Sequence, residues 1–415
     1  MSDLRPRTTR RKSPNPPETT IARHGRLKKA GPFGTIGRLI AAVVAVALVS
    51  SAIVAVIATV DVTSSLKKSV TLVDANGKAI PIPQVGAISG SFNVLLAGSD
   101  SGGGNAAYGD RGENLNDVTM LLHVSSDHKH ATVVSFPRDM YVSIPSCPDP
   151  SGGSFSAMSK QKINNTLTYG GLTCTVLTVE KLTGLTIPYA AEIQFDGVIE
   201  MSDAVGGVPV CVAGDINDPY TGLAVKKGEN TLQGAQALAF LRSRHGVGDG
   251  SDLGRISSQQ VFLSSLVRTV KSADTLANPL KVYALAKAAA KNMSLSSSLN
   301  DVTTIASMAI ALKGISPDNV VFVQYPNHYV AGGVAPTVDA ASDLFTALAA
   351  DTPISLTGST GVGAVADPNA PATGDAAATP APTTGSGSSS NAVQLPSDVT
   401  GQTAGEHTCT KPFSG

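Results

Sequence analysis

From Leu39 to Val60 the chain carries no charged residue. As a helix rising about 1.5 Å per residue, that run is about 33 Å long, enough for a bilayer core of about 30 Å. If it spans a membrane, everything after it folds on one side. The competing readings are a cleaved signal peptide and a buried core helix. The run is long for a signal core, and no clean small-residue cleavage pattern precedes Asp61. Residues 1–38 are polar and basic, with Arg5, Arg7, Arg10, Arg11, Lys12, Arg23, Arg26, Lys28, Lys29 and Arg38. That asymmetry reads as a single anchor with the basic arm in the cytoplasm. Over the whole chain Lys and Arg total 31 and Asp and Glu total 31, so no net charge suggests a nucleic-acid partner. The expected layout is a disordered cytoplasmic arm over 1–38, a transmembrane anchor over 39–60 and a stalk over 61–87. An extracytoplasmic domain over 88–356 and a flexible tail over 357–415 follow.

The tail assignment rests on composition: residues 358–405 are mostly Ala, Pro, Gly, Ser and Thr, with little to bury. Within the domain, Phe92–Ala97 reads as a buried strand ending at Gly98-Ser99-Asp100. Val118–Val124 and Ala131–Phe136, joined by a turn at Asp127–His130, read as a hairpin. In a hairpin the start of one strand lies beside the end of the next, so Asp117 is expected near Arg138. If Phe92–Ala97 runs parallel to Ala131–Phe136, Asp100 joins the same rim. Further strands are expected at Tyr189–Phe195, Val208–Val212 and Val320–Gln324. Helices are expected at Lys160–Tyr169, Thr173–Leu182, Asp196–Ala204, Ser257–Ser272, Leu280–Lys291 and Val302–Leu312. The alternation indicates a layered α/β domain.

Charge concentrates in one place. Leu232–Leu241 is an apolar, helix-like run, with Asn230 and Gln233 as a start signal and Gly246 as a stop. Its Leu232, Ala235, Leu238 and Ala239 suit a slot for a lipid tail or ordinary core. Arg242, Arg244 and His245 close that run. Ser251 is then a candidate N-cap for a second helix, with Asp252 in its first turn. Asp252, Arg255 and Gln259 share one stripe of that helix with the apolar Leu263, Leu266 and Val270. The stripe therefore points inward and carries charges at its start. Three Arg near a helix N-terminus suggest an anion, most naturally phosphate. The bland alternative is an Arg–Asp network stapling two helices. With Asp100, Asp117 and Arg138 these residues make a cation-plus-phosphate constellation.

Several stretches now carry a resemblance. They are Asn93–Asp100, Asn116–Leu122, Ser135–Val142, Lys162–Asn165 with Tyr169–Gly171, Asp203–Val208, and Phe240–His245 with Asp252–Gln260. In this order, across about residues 90–350 and after an N-terminal anchor, the chain resembles the LytR–CpsA–Psr (LCP) family of bacterial cell-envelope proteins, in its actinobacterial form. The resemblance implies a central mixed β-sheet flanked by helices. It implies an Mg²⁺-dependent phosphotransferase, with Mn²⁺ as a substitute metal. Such an enzyme moves a glycopolymer from a polyprenyl-pyrophosphate carrier to a peptidoglycan hydroxyl at the membrane surface. Asp100 and Asp117 would hold the metal. Arg111, Arg138, Lys162, Arg242, Arg244, Arg255 and Gln259 would bind the pyrophosphate. Arg138, Asp252, Arg255 and Gln259 would be catalytic. Two positions depart from the family pattern: Leu115 stands where an Arg is common, with Arg111 as a replacement, and Ser258 stands where another Arg is frequent. The alternatives are a pyrophosphatase acting on the same lipid and a non-enzymatic binding scaffold.

The four cysteines, Cys147, Cys174, Cys211 and Cys409, lack metal-ligand spacing, which argues against zinc. An extracytoplasmic domain permits disulfides, and four cysteines allow three full pairings. The expected pairs are Cys147–Cys174, both near one sheet rim, and Cys211–Cys409, which rests partly on elimination.

Overall fold

The computed structural model describes residues 32–74, 77–81, 90–100, 114–149, 151–272, 275, 278–370 and 392–414. Residues up to Ile57 form one unit and Ala58–Gly415 another. The described part of the first is helix α1, Pro32–Ser64, which extends past both expected ends and continues into the second. Apolar side chains such as Val43, Leu48 and Ile57 are exposed on it. Among the described residues it is the one helix long and apolar enough to cross a membrane.

The second unit runs in order through these elements. Strands β1 (Phe92–Ser99), β2 (Asn116–Val124), β3 (Ala131–Phe136), β4 (Tyr141–Ile144) and β5 (Met158–Lys162) lead to helix α2 (Gly171–Thr183). Next come β6 (Tyr189–Ile193), α3 (Phe195–Val205), β7 (Val208–Val212), β8 (Gly228–Leu232), α4 (Gly234–Arg242) and α5 (Asp252–Lys271). The remainder includes α6 (Pro279–Asn292), β9 (Met293–Leu295), α7 (Val302–Lys313), β10 (Val320–Gln324), α8 (Val338–Ala349), β11 (Ala364–Ala366), β12 (Gly401–Thr403) and β13 (Thr408–Thr410).

The main sheet is mixed, in the order β9-β6-β1-β2-β3-β10-β12. Strand β1 pairs antiparallel with β2 and parallel with β6, and β2 pairs antiparallel with β3. So β1 and β3 run the same way, as the rim argument required. Side chains alternate across the sheet. Leu95, Ala97, Leu121 and Val134 pack with α2 and α8 on one face. Phe92, Val94 and Leu96 pack toward Met308 and Ala311 of α7 on the other. A second sheet, β8-β7-β13-β11, shares a core with α4 and α5.

Four expectations need correction. Lys160–Tyr169 is not a helix: Met158–Lys162 pairs with β4, and only a 3₁₀ turn, Ile163–Thr166, follows. Helix α4 starts at Gly234 because Gly228–Leu232 is taken by pairing with β7. The stalk is partly built into the domain, since Leu72 is buried in the core and Val70 bridges Ser296. The described parts of the tail, 357–370 and 392–414, are folded. Strand β12 extends the main sheet, β13 lies between β7 and β11, and Leu395, Val399 and Ala404 are buried. Scattered apolar residues suffice there because backbone ladders and a disulfide supply the rest. Cys147–Cys174 and Cys211–Cys409 are both formed. Residues 371–391, the centre of the expected tail, and most of the basic arm lie outside the described residues.

Candidate active site

The rim begins with an irregularity. Gly98 pairs with Val118, but Ser99 pairs with Asn116, so Asp117 is the extra residue of a β-bulge. A bulge re-aims its side chain and releases its backbone from the ladder. Both consequences are used here. The Asp117 carboxylate pairs with Nη1 of Arg138, which follows the end of β3, and its carbonyl accepts from Nη2 of Arg255 at 2.7 Å. Gly98 permits the bulge: a Cβ there would lie 2.9 Å from Cβ of Val118.

Helix α5 enters this rim by its first turn. The Ser251 hydroxyl accepts from the Gly254 amide, the expected N-cap. One Asp252 oxygen accepts from the Arg138 amide at 3.0 Å. The other lies 2.6 Å from Arg255 Nη2 and 3.8 Å from Arg244 Nε. The Arg255 side chain is only 3% exposed. Nε of Arg138 and Nε of Arg255 are buried and have no hydrogen-bond partner among the described residues. Buried donors in that state mark a place for an acceptor. Burial and then the neighbouring Arg255 guanidinium push the Arg244 pKa down; Asp252 opposes this, Arg138 adds to it, and Asp117 opposes it. An anion would relieve that crowding.

The other sequence-derived candidates divide. Asp100 lies at the same rim, buried, with its amide on the Leu115 carbonyl and its Oδ1 accepting from the Leu115 amide. Lys162 pairs with Asp139 at 2.8 Å, beside Arg138. Burial would raise the Asp139 pKa, but the Lys162 bond and the Arg138 and Arg244 charges outweigh it and hold that carboxyl low. Arg242 stacks on Phe195, 4.3 Å from the ring centroid. The Gln259 amide donates to the Leu241 carbonyl, tying α5 to α4. Arg111 lies outside the described residues.

Behind the charged residues is a cavity of ≈ 250 Å³. Asp117, Arg242, Arg255 and Gln259 line it, and so do Leu263, Leu266 and Val270 of the same α5 stripe. From Arg255 to Val270 the stripe covers about 22 Å. Leu96, Met120, Ile193, Leu238 and Leu285 complete walls supplied by several other elements. Of the four residues expected to suit a slot, Leu238 lines it, Leu232 of β8 and Ala239 of α4 are core, and Ala235 is exposed.

The sequence did not reveal what holds the loop between α4 and α5. The Gly248 amide donates to the Lys411 carbonyl, and the Phe413 and Ser414 amides donate to the Gly246 and Gly248 carbonyls. The chain's last residues thus strap the loop joining Arg244 to Asp252. Cys409 was the one local hint.

Residues 56–347 match the LytR_cpsA_psr family. The chain belongs to that family. It is 32% identical over 271 residues to the cell wall biosynthesis protein LcpA of Corynebacterium glutamicum, covering 58% of this chain and 51% of that one. It is 31% identical to TagT of Bacillus subtilis, a polyisoprenyl-teichoic acid–peptidoglycan teichoic acid transferase, over 45% of this chain and 55% of that one. The chain thus matches about half the length of these two relatives. A crystal structure of a Streptococcus agalactiae protein superposes with a TM-score of 0.52 at 20% identity, covering 63% of this chain and 88% of that one. That likeness shows that the two chains share a fold.

Proposed function

We propose that this LCP protein is a membrane-anchored phosphotransferase. It would move a glycopolymer from a polyprenyl-pyrophosphate carrier to a peptidoglycan hydroxyl, with α1 as anchor and the domain outside the cytoplasm. The observation that carries this reading is the continuity of the α5 stripe. Orphaned arginine donors at one end and an apolar cavity along the rest suit a ligand with a concentrated anionic head and a long apolar tail. TagT, a teichoic acid transferase by name, takes such a polyisoprenyl-linked substrate.

The roles follow from the side chains. Arg138, Arg244 and Arg255 would grip the pyrophosphate, and Asp252 holds their geometry. Arg242 and Lys162 would sit at its edges. Gln259 ties α5 to α4 and so positions Arg255. The acceptor hydroxyl attacks one phosphorus, the bond to the bridging oxygen breaks, polyprenyl phosphate leaves, and the hydroxyl proton passes to a rim carboxylate. Guanidinium forks in a partly dry site stabilise the charge on the equatorial oxygens. Asp100 and Asp117 are hard oxygen donors on adjacent strand ends, which suits Mg²⁺ or Mn²⁺ completed by phosphate oxygens. Bound there, the metal would neutralise developing negative charge.

The test is product analysis. Full-length protein, a polyprenyl-pyrophosphate-linked glycan, a peptidoglycan fragment and Mg²⁺ should give a glycan-linked fragment, and a chelator should stop its formation. Free glycan phosphate alone would establish hydrolysis instead, and neither product would establish a scaffold.

A further inference from the structure

Helix α7 exposes an unusual face. Its outward positions are Val302, Thr303, Ile305, Ala306, Ala309 and Ile310, with no charge until Lys313. Ile310 is 74% exposed. The outward positions of α8 show the ordinary pattern, with Asp339, Ser342, Asp343 and Thr346 beside Val338. Next to α7, the first turn of α6 also presents apolar side chains, Leu280 at 77% exposure and Val282. Isolated exposed apolar residues are normal, but a contiguous patch marks an interaction surface.

The end of α1 says what covers it. Thr59 and Val62 of α1, Val282 and Tyr283 of α6, and Val302 of α7 line one groove. Asp61 is the first charge after the uncharged run, and its carboxylate accepts from the Tyr283 hydroxyl and pairs with Lys287 at 2.8 Å. In a spanning helix the first charge lies at the boundary between hydrocarbon and headgroups. Its partners on α6 are therefore at headgroup level. Tyrosine and lysine are residues that settle there. Lys281 lies between Leu280 and Val282, and Lys313 closes α7, as on helices that lie in a membrane surface.

We propose that the outer face of α7 and the first turn of α6 rest in the headgroup layer of the phospholipid bilayer that holds α1. The inference depends on α1 being an anchor and holds for either orientation. The domain would then be seated on the membrane by two contacts instead of swinging on one helix. A lipid-borne substrate would meet a domain of limited tilt.

The test uses the full chain in vesicles of phosphatidylcholine and phosphatidylglycerol. The native cysteines are disulfide-bonded, so Ile310→Cys carries a single nitroxide label, and Val338→Cys on α8 is the control. Resistance to carbonate extraction first establishes that α1 is inserted. At position 310, collision with a water-soluble nickel complex should fall several-fold below that at 338, while collision with oxygen rises. Adding Ile305→Asp should restore nickel access at 310 without lowering the melting temperature. Equal nickel access at 310 and 338 in inserted protein would overturn the proposal. Dipolar broadening between labels at 310 would also overturn it, because a second copy would then cover the face.

Discussion

Helix α5 presents two halves of one stripe to one cavity, and their chemistry is opposite. Asp252, Arg255 and Gln259 are tied to each other, to β2, to the segment after β3 and to α4 by ion pairs and hydrogen bonds. Leu263, Leu266 and Val270 touch the same space with nothing to bond. A buried charge costs several kcal/mol unless paired, so the polar half is held by its partners to fixed geometry. The apolar half needs only shape. The polar half should therefore govern the chemical step, and the apolar half the affinity for the carrier.

The largest effect is expected at the polar half. Arg255→Ala or Arg138→Ala should lower transfer by roughly 10²–10³-fold, the scale of one lost charge-stabilising donor. Lys at either position should rescue only in part, for want of a bidentate fork. Melting curves recorded beside activity decide the case. Variants that melt early yet transfer normally when folded would make this half a staple. Breaking one partner of a buried ion pair costs about 3–5 kcal/mol, so that outcome would be visible.

The strap holds the loop that leads into the polar half. Cys409→Ser should lower stability by about 2–4 kcal/mol, the usual worth of a disulfide, read as a drop in denaturant midpoint. An unchanged midpoint would mean that the backbone ladders of β12 and β13 hold the strap alone.

The apolar half should answer differently. Leu266→Trp overfills the cavity at about 1–3 kcal/mol, a factor of roughly 5–150 in affinity. It should raise KM for a long-chain carrier, leave kcat nearly unchanged and spare a short-chain one. A fall in kcat with both carriers would remove the distinction between the halves.

The smallest effect concerns the edge of the polar half. Asp139 has a lowered pKa in the folded state, so its contribution to stability is present above the unfolded value of about 3.9 and is lost as pH falls through the folded value. The stability gap between wild type and Lys162→Met, open at pH 6, should therefore close in acid. Acid titrations of both proteins read it directly.

Much of this site was legible because it follows from local periodicity. The i, i+3, i+7 spacing put Asp252, Arg255 and Gln259 on one stripe, and hairpin geometry put Asp117 beside Arg138. The folded tail was not legible. Composition averaged over residues 358–405 hides Val393, Leu395 and Val399, and β13 gains its stability from partners far away in the chain. The same kind of pairing converted Lys160–Lys162 from expected helix to strand, and took Leu232 and the expected start signal Asn230 into a strand as well.

By itself the sequence determined the apolar run of α1, the alternation of the main sheet, the Ser251 cap and the meeting of Asp117 with Arg138 across one hairpin. All of these depend on neighbours a few residues apart or on one turn. Tertiary structure alone decided that Asp117 sits on a bulge, that Gln259 reaches the Leu241 carbonyl, and that the last residues of the chain clamp the loop between the arginines. Those contacts join residues 18 to more than 100 positions apart. Each of them ends on a backbone group that every residue carries, so no pattern of side chains announces where it will land.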